Sequence, residues 1–188
     1  TVYLDNAATS FPKPEAVCLA VDQAMRFGSA NPGRGGYRLS LDAGRTVLAA
    51  RESAARLVGM TDPARIVFVA NATEAINLAL FGLLNHGDRV VTTSMEHNAV
   101  VRPLRALAER GVEVIKVSAD RTGFVSPAEL QQACTPGTRL VVMTHCSNVT
   151  GTVQAIEEIG PWCRSRGVLF MVDAAQSAGL FPIDIGVM

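Results

Sequence analysis

Lysine is nearly missing from this chain: Lys13 and Lys116 are the only two in 188 residues. A covalent amine anchor for a carbonyl ligand therefore has two candidates, and the segment around neither resembles such a site. Charge of one sign is not in excess either. With 17 basic and 17 acidic residues the formal net charge is zero, which argues against a nucleic-acid surface or a polybasic membrane patch. The four cysteines, Cys18, Cys134, Cys146 and Cys163, show no CxxC spacing, and the chain is too large to depend on a disulfide framework. Reduced thiols in a cytoplasm are the expected condition. Long apolar runs are absent: the longest are strand-length, too short for a membrane span. Residues 1–6 lack a basic region followed by an apolar core, so no secretory leader is expected. No HxxxH pair, P-loop lysine or GxGxxG after the first apolar run is found, which excludes the commonest metal and nucleotide motifs.

What remains is a core-forming pattern. The composition is 48% hydrophobic, enough for one well-buried domain at this length. After an opening loop rich in Asn, Thr and Pro, the spacing predicts a helix over 15–27 with Ala16, Leu19, Ala20 and Met25 on its apolar face. A glycine-rich break over 28–36 precedes a second helix over 40–58, with Gly59 as its stop. Strands and helices then alternate: strands at 66–70, 89–93, 112–117, 140–144 and 168–172, helices at 74–84, 99–110, 127–133 and 156–166. Continuous Val/Ile/Leu runs separated by helices predict an α/β fold, three layers with a mostly parallel sheet covered on both faces. No repeat, low-complexity tract or linker interrupts it.

In such sheets ligands bind beyond the carboxyl ends of the strands, and four of these ends carry polar groups. Asn71-Ala-Thr-Glu74 opens a helix, where Ala72, Thr73 and the first-turn N–H groups suit a phosphate, although Thr73 would equally serve as a plain helix cap. His97 follows the next strand and would stack on an aromatic ligand, titrate, or cap the following helix. Asn148 offers a donor and an acceptor at a turn. Asp173 ends the last strand, either as a cap or as the carboxylate that keeps a pyridine nitrogen protonated.

Together these ends resemble the cofactor pocket of fold-type I pyridoxal phosphate enzymes. The resemblance runs through Tyr3-Leu-Asp-Asn-Ala-Ala-Thr9, Ala72-Thr-Glu-Ala-Ile-Asn77, Glu96-His-Asn98, Ser147-Asn-Val-Thr-Gly151 and Val172-Asp-Ala-Ala-Gln176. It covers the whole chain and is to the class V aminotransferase family, cysteine desulfurases above all. It implies pyridoxal 5'-phosphate as cofactor. Ala72 and Thr73 would hold its phosphate, His97 would stack on the ring in the reaction, Asp173 would pair with the ring nitrogen, and Gln176 would bond the phenolate oxygen. Asn148 would sit by that oxygen and the substrate carboxylate. Asn6, Ala7 and Ala8 would line the substrate side, with Arg34 a weaker candidate for substrate or partner-subunit contact; no metal is implied.

The family's Schiff-base lysine stands in a Ser/His/Lys stretch roughly two dozen residues beyond the Asp173 position, and its persulfide cysteine later still. The expectation is therefore the amino-terminal part of a protein about twice this length: a residue 1–15 arm and an incomplete cofactor-binding large domain over 16–188, not competent alone. The family's first strand pairs only with its last, so 66–70 is expected to be an orphan edge or to pair with the strand at 168–172. The implied activity is sulfur removal from L-cysteine. Selenocysteine lyase, transaminase and a non-catalytic module of the same fold stay open. A homodimer, a small amino-acid substrate and a sulfur-acceptor protein are the implied partners, without nucleic acid or membrane.

Overall fold

Four parallel strands make the only sheet among the described residues: β1 Arg89–Thr93, β2 Glu113–Val117, β3 Thr138–Thr144 and β4 Leu169–Asp173, in the order β2-β1-β3-β4. The computed structural model describes residues 2–28 and 30–188; Thr1 and Ser29, the latter inside the glycine-rich break, lie outside them. The chain divides into two compact units, Thr1–Val67 and Phe68–Met188.

The second unit holds the sheet and four helices, α3 Ala72–Leu83, α4 Asn98–Ala108, α5 Pro127–Ala133 and α6 Ile156–Ser165. Side chains alternate across a strand with period two, and both faces here are apolar. Val90, Leu140 and Val142, with Val114 and Met171, pack against Ile76 and Leu80 of α3 and Leu104 and Leu107 of α4. Val91, Val141 and Met143, with Ile115, Phe170 and Val172, pack against Leu130 of α5 and Ile156 and Ile159 of α6. This is the expected three-layer α/β/α arrangement.

The sheet forks at one place. β1 pairs with β2 through Thr93↔Val117, but with β3 only through Val91↔Val141. β3 meanwhile stays paired with β4 to the end, Thr144↔Asp173. From β1 the chain goes outward to β2, returns to the other side of β1 for β3, and continues outward to β4. The strand order therefore reverses between β1 and β3, the position at which doubly wound sheets open a crevice.

The first unit contains α1 Glu15–Phe27, α2 Arg38–Leu57 and a single 3-10 turn at Pro63–Arg65. The stop predicted at Gly59 is a Schellman cap: Met60 N–H bonds the Ala55 carbonyl and Gly59 N–H that of Arg56, with Gly59 at φ 68°. Two expectations fail in this part of the chain. The face of α1 with Ala16, Leu19, Ala20 and Met25 is exposed, and α1 buries no residue. Residues 66–70 form no strand, neither an isolated edge nor a neighbour of β4. A β-ladder needs a second backbone alongside, and none of the four strands takes that place. Apolar composition predicted both features; coverage by a partner decides whether they are realised.

Candidate functional site

The site is built around the fork. Asp173, the last residue of β4, is buried, and its Oδ1 accepts the Ala175 N–H at 3.0 Å. That bond tightens the turn at 174–177, where Ser177 and Ala178 N–H both bond the Ala174 carbonyl. Gln176 lies half-buried in this turn. The strand end thus presents a carboxylate held from behind, the geometry of an Asx turn.

Glu96 fills the fork. Its Oε1 accepts the Thr93 hydroxyl at 2.6 Å and the Thr144 backbone N–H at 3.1 Å. It takes up on β3 the N–H that β1 would have bonded had the ladder continued. Its Oε2 is buried without a hydrogen-bond partner. Burial, followed at a distance by the charge of Asp173, pushes the Glu96 carboxyl up to about 7 against the lowering effect of its two donors. Thr92 Oγ1, one strand position before Thr93, is also buried and unpartnered.

His97 is the N-cap of α4, its Nδ1 accepting the Ala99 N–H at 3.1 Å. The proton of the neutral ring therefore belongs on Nε2, and the exposed ring is oriented by its own helix. The capping role considered for Thr73 goes instead to Asn71, whose Oδ1 accepts the Glu74 N–H at 2.9 Å while Glu74 Oε2 accepts the Ala70 N–H. The pair resembles a capping box, with the glutamate reaching one residue further back, to the N–H before the cap. It leaves Ala72 and Thr73 in the first turn of α3, where backbone N–H groups have no intrahelical acceptor. Thr73 and His97 line one cleft of about 330 Å³, together with Asn77, Phe81 and Arg102.

Asn148 is exposed at the tip of the loop after β3. The loop is closed by Ser147 N–H to the Thr152 carbonyl, and Ser147 Oγ accepts Val149 and Thr150 N–H. Asn6, Ala7, Ala8 and Arg34 are exposed residues of the first unit. Asn6 Oδ1 accepts the Phe11 N–H, and Tyr3 OH donates to the Asp5 and Thr9 carbonyls, so the opening loop is ordered by its own polar groups. Lys13 bonds Thr9 and Ser10, and Lys116 is on β2, three strand spacings or about 14 Å from β4.

Glu96, Thr93 and Thr144 were not singled out from the sequence, although Glu96 follows an apolar strand as Asp173 does. That shared position was the available signal. His145, immediately after β3, is also buried; its Nδ1 has no partner, its ring lies 5.8 Å from that of Phe181, and burial lowers its proton affinity. Among the described residues no group of three or more His, Cys, Asp or Glu side chains could hold a metal ion, and no helix is long and apolar enough to cross a membrane.

An α/β sheet with a buried carboxylate, a helix-oriented histidine and a helix N-terminus toward the carboxyl ends of its strands has the layout of a ligand-binding α/β fold. The family is specific: the class-V aminotransferase model matches residues 2–188, and the chain belongs to that family. It is 43% identical over 185 residues to a probable cysteine desulfurase from Methanothermobacter thermautotrophicus, covering 98% of this chain and 46% of that protein. It is 40% identical to cysteine desulfurase IscS from Pectobacterium carotovorum, with the same coverage. Among solved structures, the apo cysteine desulfurase from Thermococcus onnurineus superposes with a TM-score of 0.91 at 33% identity, covering 99% of this chain and 47% of the other. A structure described as SspA in complex with cysteine gives a TM-score of 0.91 at 31% identity, over 100% of this chain and 54% of that one. The chain spans about half the length of the curated relatives it matches.

The family implies pyridoxal 5'-phosphate. The residues present suit it: a buried carboxylate for a ring nitrogen, first-turn N–H groups for a phosphate, and a buried polar atom, Thr92 Oγ1, left without a partner near the end of β1.

Proposed function

We propose that this chain is the cofactor-binding portion of a pyridoxal 5'-phosphate enzyme that removes sulfur from L-cysteine. The observation that carries this reading is the carboxylate of Asp173, buried at the end of β4 and held by the Ala175 N–H beside the fork in the sheet. The relatives described as cysteine desulfurases support the choice of substrate.

In this reading residues 16–188 belong to one large domain, and the helix start at Ala72 and the ends of β1, β3 and β4 each have a task. Ala72 and Thr73 hold the phosphate with first-turn N–H groups and a hydroxyl, favoured by the positive end of the α3 dipole. Asp173 keeps a proton on the ring nitrogen, since each charge of the pair favours the other. His97 covers one ring face, its orientation set by the bond to Ala99 N–H. Gln176 bonds the phenolate oxygen, and Asn148 holds that oxygen or the substrate carboxylate. Asn6, Ala7, Ala8 and Arg34 belong to the substrate side. The cofactor, when bound, supplies an electron sink for the substrate's α-carbon. We read the enzyme as a cytoplasmic homodimer that passes sulfur to an acceptor protein.

The test is sulfide release from L-cysteine, in the presence of a thiol reductant, by the complete gene product loaded with pyridoxal 5'-phosphate. Selenide release from selenocysteine alone would mark a lyase, and amino-group transfer to a keto acid a transaminase. Cofactor uptake without turnover of any of these would mark a binding module.

A further inference from the structure

The fork in the sheet is occupied by a side chain that none of the cofactor roles above uses. Glu96 leaves the end of β1 and receives on Oε1 the Thr93 hydroxyl and the Thr144 N–H. Thr93 is itself braced, since Met95 N–H donates to its Oγ1 at 3.1 Å. On the far side of the same strand, the peptide after Thr144 turns its N–H the other way: His145 N–H donates to the Asp173 carbonyl at 2.9 Å. Thr144 and Asp173 are register partners. Hydrogen bonds thus tie β1 through Glu96 to the end of β3, and the next peptide of β3 bonds the backbone of the residue proposed to face the ring nitrogen.

Both donors converge on Oε1, so the proton of a neutral Glu96 belongs on Oε2, the buried atom without a partner. Glu96 at the end of β1 and Asp173 at the end of β4 are separated by β3, and the charge of one still disfavours charge on the other. Asp173 on β4 is the charged group that acts on Glu96. Thr93 on β1 and Thr144 on β3 are its neutral neighbours. His97 follows it in the chain, and His145 follows Thr144.

We infer that Glu96 is a positioning residue: its carboxyl ties the ends of β1 and β3 across the fork, and through the end of β3 it sets the place of Asp173. This rests on the function proposed above and adds to it a residue that acts only through Asp173. The raised proton affinity of Glu96, from burial first, agrees with a neutral carboxyl below about pH 7.

A double-mutant cycle tests it in the apo form of the complete gene product, titrated with pyridoxal 5'-phosphate at pH 6 and followed by absorbance. Glu96→Ala is expected to weaken cofactor binding about tenfold in the native background but less than about twofold in an Asp173→Asn background. Glu96→Gln, which keeps an acceptor and stays neutral, should recover affinity to within about threefold. Thr93→Val, which removes one donor to Oε1, should give a smaller loss that also vanishes with Asp173→Asn, and it serves if Glu96→Ala does not fold. Equal losses in both backgrounds would overturn the inference, as would a Gln variant no better than Ala. If the native protein captures no cofactor, or Asp173→Asn binds it as well as the native protein, the proposed function fails first and this inference with it.

Discussion

The backbone N–H of Thr144 donates to Glu96 Oε1 at 3.1 Å, across the place where β1 and β3 part company. A single carboxyl therefore does what a continued ladder would have done, and keeps the crevice open while bonding its wall.

That carboxyl makes stability depend on pH in a defined direction. Its folded-state value, about 7, lies above the unfolded value of 4.5. Its contribution is fully present below pH 4.5 and is lost as pH rises through 7, a loss on the order of 3 kcal/mol. Glu96→Gln should thus match the native protein near pH 4.5 and exceed it at pH 8 in denaturant unfolding. Parallel curves for the two proteins across this range would contradict the assignment.

His145 works in the opposite sense. Burial lowers its proton affinity below the ordinary value of 6.5, so its contribution is present above pH 6.5 and is lost as pH falls through its lowered folded value. An imidazole resonance that titrates below 6.5 and is absent in His145→Phe would bear this out; titration at or above 6.5 would not.

Asp173→Asn should leave the fold intact, since the amide oxygen still accepts from Ala175 N–H. It replaces a carboxylate by an amide, and in the complete gene product the sulfide release proposed above should drop by about a hundredfold or more. Retained turnover with retained cofactor would place the ring-nitrogen partner elsewhere.

Gln154 is 1% exposed and ties the 123–125 segment to β3: Oε1 accepts Val125 N–H, Nε2 donates to the Gly123 carbonyl, and its own N–H bonds the His145 carbonyl. Gln154→Leu would strand a buried N–H and C=O. Unfolding in urea should show a cost of about 2–4 kcal/mol, and limited proteolysis should find new cleavage near 120–125.

The thiols should separate by reactivity. Cys163 is fully buried and burial pushes its thiol up to about 12, whereas Cys18 is exposed on α1. A thiol reagent should label Cys18 in the native protein and Cys163 only after unfolding. Native labelling of Cys163 would show that α6 opens locally.

Much of the fold is legible in the chain because periodicity reports burial. The α1 and α5 boundaries coincide with those expected, and β1 to β4 lie within one or two residues of their runs. The chain also carries the polar residues beyond β1 and β4, His97 and Asp173, by sequence order alone, whereas Thr73 follows a run that forms no strand. Less legible is which of two reasonable roles each residue takes. Asn71 rather than Thr73 caps α3, because Asn71 is the last residue with extended backbone and its Oδ1 meets Glu74 N–H, whereas Thr73 already lies in the first turn, while His97 does cap α4.

What the sequence determined by itself was the alternation of buried runs and helices, and the polar residue at the end of each run, because both follow from local periods and from chain order. Which runs become strands, and what lies between their ends, only the tertiary structure decided. Residues 66–70 are more apolar than β1 yet join no sheet, and Glu96 is one more acid in a loop until β1 and β3 diverge around it. Pairing and burial are relations between distant segments, and no period in the chain encodes them.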